Sequence, residues 1–297
     1  MTVQSIGFIG LGLLGSAIAR RLMAKGHAVS GFDIDAAKID ATGKDGLIPA
    51  ASPAALAASC DVLLLCVTSS AAVAEVIGGA QGVLSAGWLD GKVLVDHSTT
   101  DIDLTRQLAQ QLQDSCGIAM VDAPVSGGPD AAASGTLSIM AGGETEALDR
   151  ITPLMADLGR FTAMGAVGAG QATKLVNQSL VLPTYCLMAE ALRLAQAYGV
   201  DATRIPHALE LGHAGSNLLP ILFERMINED FEPRGYARQI LKDLEMLHTA
   251  AKDQHLAMPM ASQALTMFRM LVAQGNSELD GAAVVSLLPD VSAAPDA

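Results

Sequence analysis

The chain has 297 residues, 51% hydrophobic and 16% charged, enough for one large or two ordinary cores, which excludes an intrinsically disordered chain. Its formal net charge of −13 lacks the basic footprint that phosphate-backbone binding needs, so no nucleic acid is expected as a partner. The same field opposes anionic substrates unless positive charge is concentrated locally.

The N-terminus has no basic patch before an apolar stretch, and Arg20-Arg21 falls inside a helical pattern, so neither an export signal nor a signal peptide is expected. The longest apolar run, Val62 to Val67, is far short of the roughly 20 residues a bilayer span requires, so no membrane association is expected. Cys60, Cys66, Cys116 and Cys186 form no CxxC pair, which fits a reduced, cytoplasmic protein without disulfides. The histidines are scattered. The closest pair, His207 and His213, matches no ligand spacing, and no metal site is expected.

In chain order, Ile6–Gly10 reads as a buried strand. Gly10-x-Gly12-x-x-Gly15 follows, then Leu14, Ala17, Ile18 and Leu22 recur at helical spacing up to Gly26. Ala28–Asp33 reads as a second strand ending on an acid. Strand, glycine turn, helix, strand and acid compose a dinucleotide-binding unit. Gly10 permits the tight turn, Gly12 lets a pyrophosphate approach the backbone, and Gly15 lets the helix pack close to the strand. With Leu13 and Leu14 they make the expected cofactor turn, at a helix start whose N–H groups attract phosphate. Asp33, 23 residues after Gly10, can accept hydrogen bonds from the adenosine ribose and would repel a 2′-phosphate. Ile34, Asp35, Ala36 and Ala37 supply no Arg for that phosphate, so NAD is expected in preference to NADP. Asp35 itself fits a helix N-cap.

Val62–Val67, Val93–Asp96, Ala119–Asp122, Leu137–Ala141 and Arg160–Thr162 continue as strands, with helices over Ile102–Leu112 and Glu144–Leu158 between them. Strands alternating with helices imply a parallel sheet with right-handed crossovers. From Gly170 the pattern is helical. Gln171–Tyr198 predicts one helix about 42 Å long, with a kink at Pro183. Ala202–Leu211, Leu218–Met226, Ala237–Gln254 and Pro259–Ala273 follow. The expected fold class is α/β, a Rossmann-type doubly wound, mostly parallel sheet followed by an all-α domain. The expected bounds are 1–165 for the cofactor domain, 166–290 for the helical domain and 291–297 for a disordered tail.

Two polar segments interrupt this pattern. In VDAPVSGGPDAAASGTLSIMAGG, Ser126, Gly127 and Gly128 offer a hydroxyl and two bare backbone N–H groups, which suits a carboxylate. On spacing alone an ordinary Ser-Gly-Gly loop fits equally. In GAVGAGQATKLVNQ, Gly168 and Gly170 precede a helix that presents Lys174, Asn177 and Gln178 on one face. A lysine there could instead be snorkelling to water.

Together these segments resemble the β-hydroxyacid dehydrogenase family, which includes 3-hydroxyisobutyrate dehydrogenase and tartronate semialdehyde (2-hydroxy-3-oxopropionate) reductase. GLGLLG at Gly10, DAPVSGG at Asp122, GAGQATK at Gly168 and KDL at Lys242 stand in family order over nearly the whole chain, and KLVNQ and ERMINEDFEP look most like the reductase branch. The resemblance implies an NAD(P)-dependent oxidoreductase moving a hydride between nicotinamide and a short 3-hydroxy acid. It implies Lys174 as general acid/base and Ser126, Gly127 and Gly128 as the substrate-carboxylate site. It implies Asn177 or Gln178 as the orienting residue, Thr99 beside the nicotinamide, Val67 and Thr68 on the adenosine side, and Lys242 over the cofactor–substrate cleft. An unperturbed lysine, with a pKa near 10.4, is too basic for that role, and apolar burial would lower it. The chain departs from the family in carrying Gln178 where Asn is frequent and Ala131 where Gly is frequent. Two other readings share the fold: an imine reductase, whose members lack the lysine, and a non-catalytic cofactor-binding module. His213, Ser216 and Asn217 could read the substrate, or simply form a helix-connecting loop. The helical half is expected to bury apolar surface in a homodimer or homotetramer.

Overall fold

The computed structural model describes residues 5–290, so the tail at 291–297 lies outside the described residues. The chain divides into two compact units after Lys174.

The first unit runs β1 (Ile6–Ile9), α1 (Leu13–Ala24), β2 (Val29–Phe32), α2 (Ala36–Gly43), β3 (Ile48–Pro49), α3 (Pro53–Ser59), β4 (Val62–Leu65), α4 (Ser70–Gly78), β5 (Val93–Asp96), α5 (Ile102–Cys116), β6 (Ala119–Asp122), β7 (Val125–Ser126), α6 (Gly128–Ser134), β8 (Leu137–Gly142), α7 (Thr145–Ala156) and β9 (Gly159–Gly165). The sheet order is β3-β2-β1-β4-β5-β6-β8-β7, with β9 also on β8. β1 to β6 pair in parallel, whereas β8 is antiparallel to both β6 and β7. Neighbours along each strand enter opposite cores. Phe8, Leu64 and Val95 pack with Ile18 and Leu22 of α1 and Ile151 of α7. Ile9, Leu63, Leu65 and Leu94 pack with Leu56 of α3, Ile77 of α4 and Leu112 of α5. A sheet covered on both faces needs strands without a polar side, which explains the unbroken runs VLLL and VLV. Each such buried Leu, Ile or Phe contributes about 1.5–3 kcal/mol.

The second unit holds the remainder of α8 (Ala169–Ala197), then α9 (Ile205–Leu209), α10 (Leu218–Ile227), α11 (Ala237–Asp253) and α12 (Pro259–Ala273). Its core joins Leu182, Ala189 and Leu192 of α8 to Phe223 of α10, Leu244 of α11 and Phe268 of α12. Arg225, 5% exposed, is paired with Asp280 at 3.0 Å, and Asp280 also accepts the N–H groups of Arg234, Gly235 and Ala282. α8 is assigned as one helix through Pro183. The helix expected over Ala202–Leu211 is shorter: Ala202–Arg204 forms a 3-10 turn and α9 begins at Ile205. Pro206 has no N–H to return to the carbonyl of Ala202, so the α ladder cannot run through that turn.

Candidate active site

The glycine turn leaves β1 at the point where the sheet order reverses, between β1 and β4. Gly10 has φ +92°, and a Cβ there would lie 2.3 Å from the Cys66 carbonyl oxygen at the end of β4. A Cβ on Gly15 would lie 2.0 Å from the Gly10 carbonyl oxygen. Both glycines are therefore required by packing within the chain. Gly12 differs. Its φ of −68° and ψ of −168° suit any residue, and a Cβ would meet nothing within 4 Å. Protein packing does not demand glycine there, whereas close approach of a pyrophosphate does, so these residues fit a dinucleotide. Leu13 and Leu14 open α1 beside it, and Leu13 is exposed.

Asp33 follows β2 and is 9% exposed. Its Oδ2 accepts the Leu11 N–H at 2.7 Å and its Oδ1 accepts the Asp35 N–H at 2.9 Å. The acid expected to read the ribose thus also holds the glycine turn. Asp35 caps α2 through Ala37 N–H, as its position suggested. Lys38 lies 3.7 Å from Asp33 Oδ1 and 3.9 Å from Asp35 Oδ2. It directly follows the Ile34–Ala37 stretch, which supplies no Arg for a 2′-phosphate, and brings a cation to the same acid from the first turn of α2.

Val67 and Thr68 leave β4, and Thr68 is exposed. The Val67 N–H donates to Ser98 Oγ at 2.9 Å. Ser98 belongs to the turn His97-Ser98-Thr99-Thr100 at the end of β5. Asp96, fully buried, organises that turn: it accepts Ser98 N–H at 2.9 Å and Thr100 Oγ1–H at 3.0 Å. Burial pushes the Asp96 carboxyl up to about 6, and the bonds from Ser98 and Thr100 oppose the shift. His97 donates Nδ1–H to the Ala123 carbonyl at 2.7 Å, and burial holds its pKa down at about 4. Thr99 is half-buried between the buried Ser98 and Thr100.

Asp122 ends β6 and caps the first turn of α8. Its two carboxylate oxygens accept Gly168 N–H at 2.7 Å and Gln171 N–H at 2.8 Å. A buried acid at a helix N-terminus meets orphan donors and the positive end of the dipole. Burial nevertheless pushes its pKa up to about 6. Gly142 and Gly170 complete the fit, since a Cβ on either would lie within 2.6 Å of Asp122 atoms. Lys174, one turn later and 8% exposed, donates Nζ–H to the Val125 carbonyl at 2.8 Å. Val125 immediately precedes Ser126, Gly127 and Gly128, so the lysine and the Ser-Gly-Gly loop are brought together. Gly127 at φ +127° and Gly128 at φ +71° hold a backbone that other residues rarely adopt. A Cβ on Gly127 would lie 2.5 Å from the Ala131 methyl, while one on Gly128 would meet nothing within 4 Å.

Asn177, Gln178 and Lys242 belong to the second unit. Asn177 Nδ2 donates to Gln178 Oε1 at 2.9 Å, and Gln178 Nε2 donates to Asp243 Oδ2. Lys242 is paired with Asp243 at 2.9 Å. Gln178 is thereby tied to α11. Ser216 Oγ accepts Leu219 N–H, as a helix-connecting loop requires. Sequence reasoning passed over Gln171, Asp96 and Asp122 as site-building residues. Their signal was polarity in otherwise apolar runs: DHSTT, VDAP and GQATK.

Residues 5–168 match the model of the NAD-binding domain of 6-phosphogluconate dehydrogenase, and residues 168–288 match the NAD-binding domain of NADP-dependent 3-hydroxyisobutyrate dehydrogenase. The 2-hydroxy-3-oxopropionate reductase of Escherichia coli (strain K12) is 34% identical over 286 residues, 96% of this chain and 97% of the relative. The chain belongs to the β-hydroxyacid dehydrogenase family. Among solved structures, 3-hydroxyisobutyrate dehydrogenase from Salmonella typhimurium superposes with a TM-score of 0.87 at 27% identity, covering 96% of this chain and 100% of that one. Psf3 in complex with NADP+ and 2-OPP gives 0.89 at 25% identity, covering 96% and 100%. With this family the chain is an NAD(P)-dependent hydroxyacid dehydrogenase built for a nicotinamide cofactor. No helix among the described residues is long and apolar enough to cross a membrane.

Proposed function

We propose that the protein interconverts a short 3-hydroxy acid and its semialdehyde, with Lys174 as general acid/base. The reductase of 2-hydroxy-3-oxopropionate and 3-hydroxyisobutyrate dehydrogenase are the best guides to the substrate class. The observation that carries the reading is the buried Lys174 Nζ, fixed on Val125 O at the root of the Ser-Gly-Gly loop. Ser126 Oγ and the N–H groups of Gly127 and Gly128 hold the substrate carboxylate, which fixes the carbon presented for reaction. One Lys174 N–H stays with Val125 O and orients the amine. Another proton passes to the carbonyl oxygen in reduction, and the amine takes the hydroxyl proton in oxidation. The bound nicotinamide supplies or accepts the hydride. Gly10, Gly12, Leu13, Leu14 and Gly15 would hold its pyrophosphate, Asp33 would hold its ribose, and Thr99 would flank the nicotinamide. Lys174 argues against the imine-reductase alternative.

For the cofactor, NAD is the favoured reading because the buried Asp33 carboxylate would accept from the ribose hydroxyls and repel a 2′-phosphate, and Lys38, 3.7 Å from Asp33, would soften that preference by offering a cation. A copy of the same chain is the expected partner. Leu180, Leu187, Leu194 and Tyr198 are exposed on α8 at heptad-like spacing, a stripe that a second α8 can match about a two-fold axis. The four cysteines are unpaired, in keeping with a cytoplasmic location.

The test is Lys174→Ala, assayed with a panel of aldehyde acids against NADH and NADPH. Turnover should fall about 10²–10⁴-fold, the worth of a positioned acid/base, with NADH binding retained. Turnover near wild type would sink the mechanism.

A further inference from the structure

We propose that Gln171 is a positioning residue that holds Thr99 in register with Lys174 for the hydride step. The inference rests on the roles assigned above to those two residues. Gln171 is 1% exposed. Its side-chain Nε2 donates to the Ser98 carbonyl at 2.8 Å, and its Oε1 accepts the Thr100 N–H at 3.0 Å. The amide therefore grips the backbone on both sides of Thr99, as a neighbouring strand would. Its own N–H donates to Asp122 Oδ2 in the first turn of α8. Lys174 stands three residues further along that helix, on the same side. One residue thus joins the turn that carries Thr99 to the helix that carries the proton donor.

Few side chains can replace it. Methionine fills the volume but leaves a buried C=O and N–H without partners. Asparagine is one methylene short. Glutamate is informative. Protonated, it reproduces both bonds, with O–H donating to Ser98 O and C=O accepting from Thr100 N–H. Ionised, it has no donor and turns an oxygen toward the Ser98 carbonyl.

The experiment compares Gln171→Met, Gln171→Glu and Lys174→Ala, with Tm, NADH affinity by fluorescence, kcat, and the deuterium isotope effect with 4-deuterated NADH. Gln171→Met should lose about 10–100-fold in kcat, the scale of an ångström-sized misplacement, with NADH affinity within about 3-fold of wild type and an enlarged isotope effect. Gln171→Glu should recover about tenfold or more relative to wild type as the pH falls from about 8 to about 6, because burial favours the neutral acid. Asp96, His97 and Asp122 face this residue and titrate in both proteins, so the recovery is read as a ratio to wild type at each pH. Should Gln171→Met not fold, the pH ratio of Gln171→Glu decides alone. Wild-type kcat and isotope effect with only a lowered Tm would overturn the inference by making Gln171 merely structural. Equal losses of kcat and NADH affinity would overturn it in favour of cofactor binding. Full turnover in Lys174→Ala would instead refute the underlying mechanism, whereas an inactive Lys174→Ala beside wild-type Gln171 variants would refute only the positioning role.

Discussion

Gly12 and Gly15 look alike in the fingerprint, yet they should fail differently when given a methyl group. In Gly15→Ala the new Cβ would sit 2.0 Å from the Gly10 carbonyl oxygen, a backbone atom that cannot swing aside. Helix α1 must move off β1, and overpacking of this kind costs about 1–3 kcal/mol or more. At about 2–4 °C per kcal/mol for a protein of this size, the cofactor-free Tm should fall by several degrees. In Gly12→Ala the methyl enters open space on a backbone at φ −68° that alanine accepts, so the cofactor-free Tm should stay within about 1–2 °C of wild type. The penalty appears only when the pyrophosphate approaches. Losing one charge-assisted N–H contact is worth about 1.5–3 kcal/mol, or roughly 10–150-fold in NADH Kd. Thermal unfolding without cofactor and NADH titration by fluorescence separate the two outcomes. A Gly12→Ala protein that binds NADH as tightly as wild type would refute the placement of the phosphates. An undisturbed Tm in Gly15→Ala would refute the packing argument.

Lys38→Ala should weaken NADPH about 3–5-fold and leave NADH within about 2-fold, since a half-exposed cation contributes about 1 kcal/mol at most; an unchanged NADPH/NADH ratio would remove Lys38 from cofactor selection. The three titrations around the β5 and β6 ends pull stability in opposite directions. His97, held at about 4, binds fewer protons folded than unfolded, so its contribution is lost as pH falls from about 6.5. Asp96 and Asp122, raised to about 6, bind more protons folded, so stability falls as pH rises from about 4 to about 6. Asp122→Asn removes one of that pair, so its Tm, lower throughout, should gain on wild type by a few degrees across pH 4 to 6. Parallel profiles would refute burial as the dominant influence on Asp122.

Where local chemistry decides the structure, the sequence was readable. Apolar runs such as VLLL sit in β4, and the glycine fingerprint marks a turn whose crowding by Cys66 O and Gly10 O follows from the motif. Of the short helices α2, α3 and α4, only the start of α2 at Asp35 was read from the sequence; Ser52 and Ser69 cap the other two, whose few Ala-rich turns carry little periodicity. The mostly parallel sheet is as expected; its exceptions, β8 against β6 and β7, were not legible, because strand direction there depends on the tight reversal through α6, which hydrophobic alternation does not encode. The site was partly legible for a similar reason. Lys174 and the Ser-Gly-Gly loop stand out by residue type, whereas Gln171 is polar in a run that reads as helix, and its partners lie 71 and 73 residues away.

The use of an acid at position 122 follows from the same long-range geometry. Burying a carboxylate is unfavourable, as its pKa of about 6 records. An asparagine would be easier to bury, yet it has one acceptor oxygen for two converging N–H groups and would turn its NH2 against the second. Serine or threonine could cap one donor and would not span from Gly168 to Gln171. The carboxylate accepts both, at 2.7 and 2.8 Å, and its charge is favoured by the helix N-terminus. That pair of bonds fixes where α8 starts against the end of β6. Gln171, whose N–H is one of the two donors, carries the constraint across to β5, and Lys174 inherits it one turn on. The position of the candidate proton donor is therefore set by a buried acid at the end of a strand and by the helix start it anchors.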